Sequence, residues 1–396
     1  MKRSLAFLLG AVGTLLPAVS VADVTVPWIN PAEIGTYNMS SLNSTDPPNA
    51  AFVTRHENEL LPNRTVQVRH GRKLRHLGKG KEVDFYTTAN GTRHSIDSFM
   101  YHFGISGVMV VTDGAVQSVT KSFISTALAV AIKKCKISLS DRVSKYVPEL
   151  ARAAYGSVPL QNLVDMISGI TEQNITNPPD LFNDVYTRSD PAAALDWFKT
   201  FEKVAKPGEV FNYYNPNYYV LSLCLARAIG EPINDWTTKY IWEPAGMKHD
   251  GYMRVTAAGQ VDGHDGLALT LQDMARFGLF VLDAFDGDGG PAVAKSWFHD
   301  ISAASTSTGV RAPGAIAVVP NSGYQTGWWT MPRGGKTYQL GDDDGFAALG
   351  TYDQTIYVVP GMNTTIVLQS SYPVHHADLF YYGQQFATAA SLALKT

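Results

Sequence analysis

The stretch Ser118-Val119-Thr120-Lys121-Ser122-Phe123-Ile124-Ser125-Thr126-Ala127-Leu128-Ala129-Val130-Ala131-Ile132-Lys133-Lys134 sets the reading of the whole chain. Phe123, Ile124, Ala127, Leu128, Ala131 and Ile132 recur at helical spacing, and Lys133, Lys134 and Lys136 stand where the C-terminal end of a helix dipole favours cations. The pattern predicts a helix beginning at Ser118, which puts that hydroxyl at the positive end. Side chains three apart share a helix face, so Lys121 can reach it. A serine hydroxyl is a poor nucleophile until something takes its proton, and a lysine does so only if burial or a nearby cation brings its pKa towards neutrality. Ser-x-x-Lys by itself recurs by chance in a chain of this length.

A second element supplies the missing context. In Phe211-Asn212-Tyr213-Tyr214-Asn215-Pro216-Asn217-Tyr218 a Tyr-x-Asn falls on a predicted loop after Pro207-Gly208 and ahead of an apolar helix over 220–228. Tyr213 can relay a proton between nucleophile and leaving group, and Asn215 can hold Lys121 or a substrate carbonyl. The competing reading is an aromatic plug in the core, because Tyr213, Tyr214, Tyr218 and Tyr219 crowd together.

Working outward, 107–111 (GVMVV) reads as a buried strand and Asp113-Gly114 as a tight turn. Only Ala115-Val116-Gln117 then remain before Ser118, too short for a returning strand. Either that strand is absent or the helix start is drawn against the sheet edge. Residues 136 to about 260 read as mostly helical, with segments near 159–168, 191–204, 217–229 and 232–246. Further on, 267–282 reads as a helix, 356–359 and 365–368 as paired strands, and 378–394 as a closing helix. The predicted architecture is an α/β part made from both chain ends, with a helical part over about 136–260 inserted between them.

These segments together resemble the class C β-lactamase-type serine hydrolases, relatives of the penicillin-binding proteins. The resemblance is carried by Ser118–Phe123, Leu160–Gly169, Pro207–Leu223, Ile241–Met247 and Gly266–Gly278, and is strongest to the branch that includes 6-aminohexanoate-dimer hydrolases. It spans roughly residues 100 to 390. It implies a β-lactamase/transpeptidase-like fold, an antiparallel sheet flanked by helices with an inserted all-α subdomain, and an acyl-enzyme on Ser118. Lys121 and Tyr213 would share the base and acid duties, supported by Asn215. The family's third motif, often Lys-Thr-Gly or His-x-Gly, would fall on the strand Ala348-Leu349-Gly350, whose first residue is not polar. The backbone N–H groups of Ser118 and Thr351 would form the oxyanion hole. The missing polar residue argues against recognition of a β-lactam carboxylate, and Tyr214 is bulky where small residues are common.

Composition narrows the partners. With 396 residues, 45% hydrophobic and 17% charged, the chain can bury a large core. A formal charge of −3 offers no general attraction to nucleic acid or anionic membranes, so a small-molecule amide or ester is the expected partner. The basic run from Arg64 to Lys81 reads as a solvated face. Residues 1–22, with Lys2, Arg3, an apolar run and Ser20-Val21-Ala22, read as a signal peptide. The expected product is exported, periplasmic or secreted. No later stretch reaches the ~18 apolar residues of a membrane span. Residues 23–63, rich in proline, read as an extended arm.

Cys135 and Cys224 can form a bridge or stay as buried thiols. Neither His375-His376 nor the acidic runs 342–344 and 283–290 has zinc or calcium spacing, so turn chemistry is the expectation, with no metal and no cofactor. His264 and Asp265 can touch substrate, though a capped loop is the expectation, and Thr171–Asp190 reads as a lid. No Gly-x-Ser-x-Gly elbow and no His-Glu-x-x-His occurs. Two functions stay open. One is an amide or ester hydrolase; the other is a weak or inactive module on the same fold that binds a peptide-like ligand.

Overall fold

The computed structural model describes residues 62–69, 71, 73–77, 86–89, 92–102, 114–172, 185–287, 293–303, 323–330 and 345–370, with helical residues between Gly383 and Ala393. The candidate signal peptide, most of the arm, the 107–111 strand, most of the lid, Asp342–Asp344 and His375-His376 lie outside them.

Two antiparallel sheets carry the α/β part. The first contains β1 (Asn63–Val66), β4 (Gly114–Ala115), β7 (Gly251–Arg254) and β8 (Leu267–Leu269) in the order β1-β7-β8-β4. Two short pairs lie apart from the main sheets: β2 (Tyr86–Ala89) with β3 (Thr92–Ser95), and β5 (Ile170–Glu172) with β6 (Phe201–Lys203). The second main sheet runs β13-β12-β11-β10-β9, from β9 (Gly323–Gln325), β10 (Trp328–Thr330), β11 (Phe346–Gly350), β12 (Gln354–Val359) and β13 (Thr364–Leu368). The predicted paired strands are β12 and β13, with Ile356 opposite Val367. Helix α1 (Ile96–His102) follows β3, and α2 (Thr120–Lys133) is the central helix.

Gly114 is not in a tight turn. Gly114 and Ala115 pair with Leu269 and Ala268, and the Val116 N–H donates to the Leu267 carbonyl at 2.8 Å. The short link therefore runs along the sheet edge, satisfying its backbone groups on β8. The chain then makes one 3-10 turn, Gln117–Val119, before α2 begins at Thr120, two residues later than the periodicity suggests. The delay is local. Gln117 sits at φ 49°, a left-handed conformation that a helix cannot contain.

Every residue of α2 from Thr120 to Ala131 is buried, so its polar groups need partners inside the protein. Ser122 Oγ donates to the Gly327 carbonyl at 2.6 Å, Ser125 Oγ donates to the Thr326 carbonyl, and Thr120 Oγ1 accepts from the Leu267 N–H at 3.0 Å. Thr326 and Gly327 form the two-residue turn between β9 and β10, both at positive φ as a type I′ hairpin requires. A β-carbon on Gly327 would stand 2.7 Å from Ser125 Cβ and 3.0 Å from the Lys121 carbonyl, so only glycine lets the hairpin close on the helix.

The stretch 136–260 is helical for the most part, in α3 (Val143–Tyr146), α4 (Leu160–Val164), α5 (Ala193–Lys199), α6 (Asn215–Ile229), α7 (Ile233–Thr237) and α8 (Glu243–Ala245). It is not all-α, because it contains the β5–β6 pair and ends by giving β7 to the first sheet. The segment read as one helix over 267–282 divides into β8 and α9 (Leu271–Asp286), with Thr270 as N-cap accepting from the Asp273 N–H. Asp283 and Asp286 close α9 rather than forming a loop. Helix α10 (Lys295–Ala303) packs beside α9, and α9 presses Gly278 on Thr365 of β13. Phe123 of α2 stacks on Phe277 of α9 with ring centroids 3.6 Å apart. Cys135 is exposed and Cys224 buried, and both are free thiols. Two arginines of the basic run are paired rather than simply solvated, Arg69 with Glu243 at 3.1 Å and Arg75 with Asp283.

Candidate active site

The 3-10 turn delivers Ser118 to the junction of the two sheets, half-buried. One residue into α2, Lys121 is completely buried. Its Nζ donates to Ser118 Oγ at 2.7 Å and to the His264 carbonyl at 2.8 Å. Burial lowers its pKa from 10.5 to about 7, against the opposing pull of the Asp265 and Asp262 carboxylates. A large share of Lys121 is therefore neutral near pH 7 and able to take a proton.

Tyr213 comes from the loop before α6 and hydrogen-bonds with Ser118, with its ring 4.9 Å from Lys121 Nζ. Burial pushes its phenol well above the ordinary value, the Ser118 hydrogen bond offsetting only part of this. It therefore keeps its proton throughout the neutral range. Its ring stacks on Trp329 of β10 at 5.4 Å and meets Tyr324 of β9 edge-on at 5.6 Å. Tyr218 and Tyr219 are the buried plug that the aromatic clustering suggested, while Tyr214 packs on Phe201.

Asn215 is not brought to Lys121. It is exposed at the first position of α6, and the two hydrogen bonds of Lys121 go elsewhere. The helix starts five residues before the predicted 220–228 run, turning Asn215 into a helix-start residue. The buried asparagine is Asn217, whose Oδ1 accepts from Tyr155 Oη at 3.2 Å.

Ala348, Leu349 and Gly350 end β11 beside Ser118. A β-carbon on Gly350 would stand 2.4 Å from the Val116 carbonyl and 3.1 Å from the Ser118 nitrogen. Thr351 follows in the hairpin to β12, ahead of Tyr352 and Asp353, both at positive φ.

Behind Lys121, the loop between β7 and β8 holds a charged group of which the sequence reading named only His264 and Asp265, as a capped loop. Asp262 and His264 are buried, and Asp265 is 24% exposed. Arg254 bonds both carboxylates, His264 Nδ1 pairs with Asp262, and His264 Nε2 lies 3.3 Å from Asp265. Tyr186 Oη donates to Asp262 at 2.6 Å, and its ring stacks on His264. Burial works against a charged imidazole, but the Asp262 and Asp265 carboxylates outweigh it and raise His264 from 6.5 to about 9. Burial likewise opposes ionisation of Asp262, yet the His264 and Arg254 cations hold its carboxyl well below the usual range. Ligand atoms of Asp262, His264 and Asp265 lie within 4.8 Å of one another, close enough for a divalent ion. The Arg254 guanidinium already bridges the two carboxylates, so the donor set does not fit a metal.

A β-lactamase family model, described as "Beta-lactamase", matches residues 115–381, from the link before Ser118 to beyond β13. The chain belongs to the Beta-lactamase family. It is similar to the 6-aminohexanoate-dimer hydrolase of Paenarthrobacter ureafaciens, at 25% identity over 65% of this chain and 65% of that protein. The chain thus spans just under two thirds of that relative's length. Among solved structures, a Bacillus anthracis protein assigned as a 6-aminohexanoate-dimer hydrolase is similar with a TM-score of 0.75 and 20% identity, over 91% of this chain and 99% of that one. The octameric penicillin-binding protein homologue from Pyrococcus abyssi is similar with a TM-score of 0.55 and 20% identity, over 78% and 73% of the two chains. The fold is the β-lactamase/transpeptidase-like one, and the family is one of serine hydrolases in the main.

Proposed function

We propose that this chain is a serine hydrolase that opens an amide or carboxylic ester bond through an acyl-enzyme on Ser118. The observation that carries the reading is the 2.7 Å contact between Ser118 Oγ and a fully buried Lys121 whose pKa lies near 7. Neutral Lys121 takes the hydroxyl proton as Oγ bonds to the carbonyl carbon, and the carbonyl π pair moves onto oxygen. That oxyanion is held by the backbone N–H groups of Ser118 and Thr351. Collapse expels the amine or alcohol, which takes a proton from Tyr213, and Tyr213 is refilled from Lys121. Water then attacks the acyl carbon and frees Ser118 by the same relay. The base and the donor are separated by environment, one pKa lowered to neutrality and the other raised beyond it.

The substrate class is argued from what surrounds Ser118. Tyr324 and Trp329 pack on the Tyr213 ring, and Ala348-Leu349-Gly350 carries no cation or imidazole. This favours a small linear amide or ester, such as the amide named for the 25% identical relative, over a β-lactam carboxylate. The basic first residues followed by an apolar run support export to the periplasm or medium.

The test is covalent. A fluorophosphonate should add to Ser118, located by intact mass and peptide mapping, and short esters should turn over faster than penicillins. A folded protein that takes no label at Ser118 is the binding module instead, and equal kcat/KM for β-lactam and best ester removes the substrate argument.

A further inference from the structure

Four charged side chains behind Lys121 are not used by that chemistry. We propose that Arg254, Asp262, His264 and Asp265 are positioning residues which fix Lys121 Nζ against Ser118 through the His264 carbonyl and keep the charge facing that nitrogen balanced. The inference rests on the hydrolase reading for its consequence, and on the loop geometry for its substance.

The loop is held from several directions. The Arg254 N–H donates to the Gly266 carbonyl at 2.6 Å, the Asp262 N–H to the Arg254 carbonyl at 3.0 Å, and the His264 N–H to Asp262 Oδ1 at 3.1 Å. A β-carbon on Gly263 would stand 2.8 Å from the Tyr218 carbonyl, so the loop lies directly on α6. The His264 ring lies between Asp262 and Asp265 and stacks on Tyr186, and its backbone carbonyl stands 2.8 Å from Lys121 Nζ. That carbonyl accepts one hydrogen bond from Lys121 Nζ, and the Ser118 hydroxyl oxygen accepts another.

The charges sum to zero. Asp262 and Asp265 supply two negatives, and Arg254 and His264 two positives. Asp262 and Asp265 both act on Lys121, and Asp265 also on Tyr213, so the two carboxylates of the cluster lie within electrostatic reach of these groups. Among the described residues Ser118 and Tyr213 also face Lys121, and Tyr213, like Tyr186 behind Asp262, keeps its proton over the range in which the lysine titrates. Burial raises Asp165, which holds the Thr326 N–H, to about 6 and Asp353, in the hairpin after Gly350, to about 7, and the carboxylates that act on Lys121 are Asp265 and Asp262. His264 holds its proton to about pH 9, above the Lys121 titration near 7, so the balance does not change while Lys121 titrates. With the imidazolium gone, two carboxylates would face Lys121 against one guanidinium and keep it protonated. With Asp265 gone, the excess would be positive and drive the proton off.

The experiment reads Lys121 directly, through the pH titration of its 13Cε resonance in 13C-lysine-labelled full-length protein, alongside the acid limb of ester kcat/KM. In His264→Asn the Lys121 midpoint should rise by about one pH unit, and in Asp265→Asn it should fall by about one, with the kinetic limb moving in step. A merely structural loop would not move the two midpoints in opposite directions, and any result other than opposite movement overturns the proposal. If His264→Asn does not fold, Asp265→Asn decides alone, because Asp265 is partly exposed and tolerates the change. A native protein without turnover, in which the midpoints nonetheless move apart, would refute the hydrolase reading and leave this inference standing.

Discussion

On one side of Ser118 lie full charges: Lys121, and behind it the Arg254, Asp262, His264 and Asp265 cluster. On the other lie rings and backbone: Trp329 and Tyr324 against Tyr213, and the end of β11 with no charged side chain over Ala348–Gly350. The charged side is read through pKa values, because each group there shifts another. The apolar side is read through distances of closest approach, because what matters is how near Gly350 lets the backbone come to Ser118. Substitutions on the two sides should fail in different ways.

The largest effect should come from the charged side. Ser118→Ala should lower ester turnover by roughly 10⁴ to 10⁶, and Lys121→Met by nearly as much, with the double variant little worse than either, since residues acting as a unit do not add. Losses that multiply in the double variant would break the pairing. On the apolar side, Gly350→Val forces a side chain into the 2.4 Å gap to the Val116 carbonyl and should lower kcat by about 10²-fold, with a smaller change in KM. An unchanged kcat would remove β11 from the chemistry.

The smallest effect sharpens the comparison by sign. His264 has a folded pKa raised to about 9, so its ion pairing stabilises fully below 6.5 and is lost as pH climbs through 9. Lys121 has a folded pKa lowered to about 7, so its burial cost is full below 7 and relieved as pH approaches 10.5. Between pH 7 and 9 the two oppose. The native Tm should therefore change little over that range, whereas Lys121→Met should lose a few degrees as only the His264 contribution decays. Identical Tm profiles would show that the two groups are not coupled to folding as stated.

The sequence disclosed what is local and hid what is not. Ser118 and Lys121 are three apart, and helical geometry alone brings them together, so their pairing is legible without a structure. The β12–β13 hairpin is legible for the same reason, through alternation and a short connection. Arg254, Asp262, His264 and Asp265 follow no period, and only the β7–β8 connection folding back on itself turns them into a cluster. Their abundance of charge next to Gly263 and Gly266 was the available signal, and it reads equally well as a solvated loop. The expected bond from Asn215 to Lys121 failed through a boundary. Pro216 admits the first turn of a helix, so α6 begins there and Asn215 stays at its exposed start. Of the two readings of the short link before Ser118, the structure bears out the one that draws it against the sheet edge; the strand it pairs with, β8, is some 150 residues away and absent from any local window, so sequence alone could not choose between them.

The Thr326–Gly327 hairpin has a bearing on how the protein comes apart. Because it accepts the hydroxyls of Ser122 and Ser125, the hairpin cannot open without loosening the first half of α2. Ser118, carried at the start of that segment, should have no private melting transition. Denaturant should then abolish ester turnover and the fold in one cooperative event.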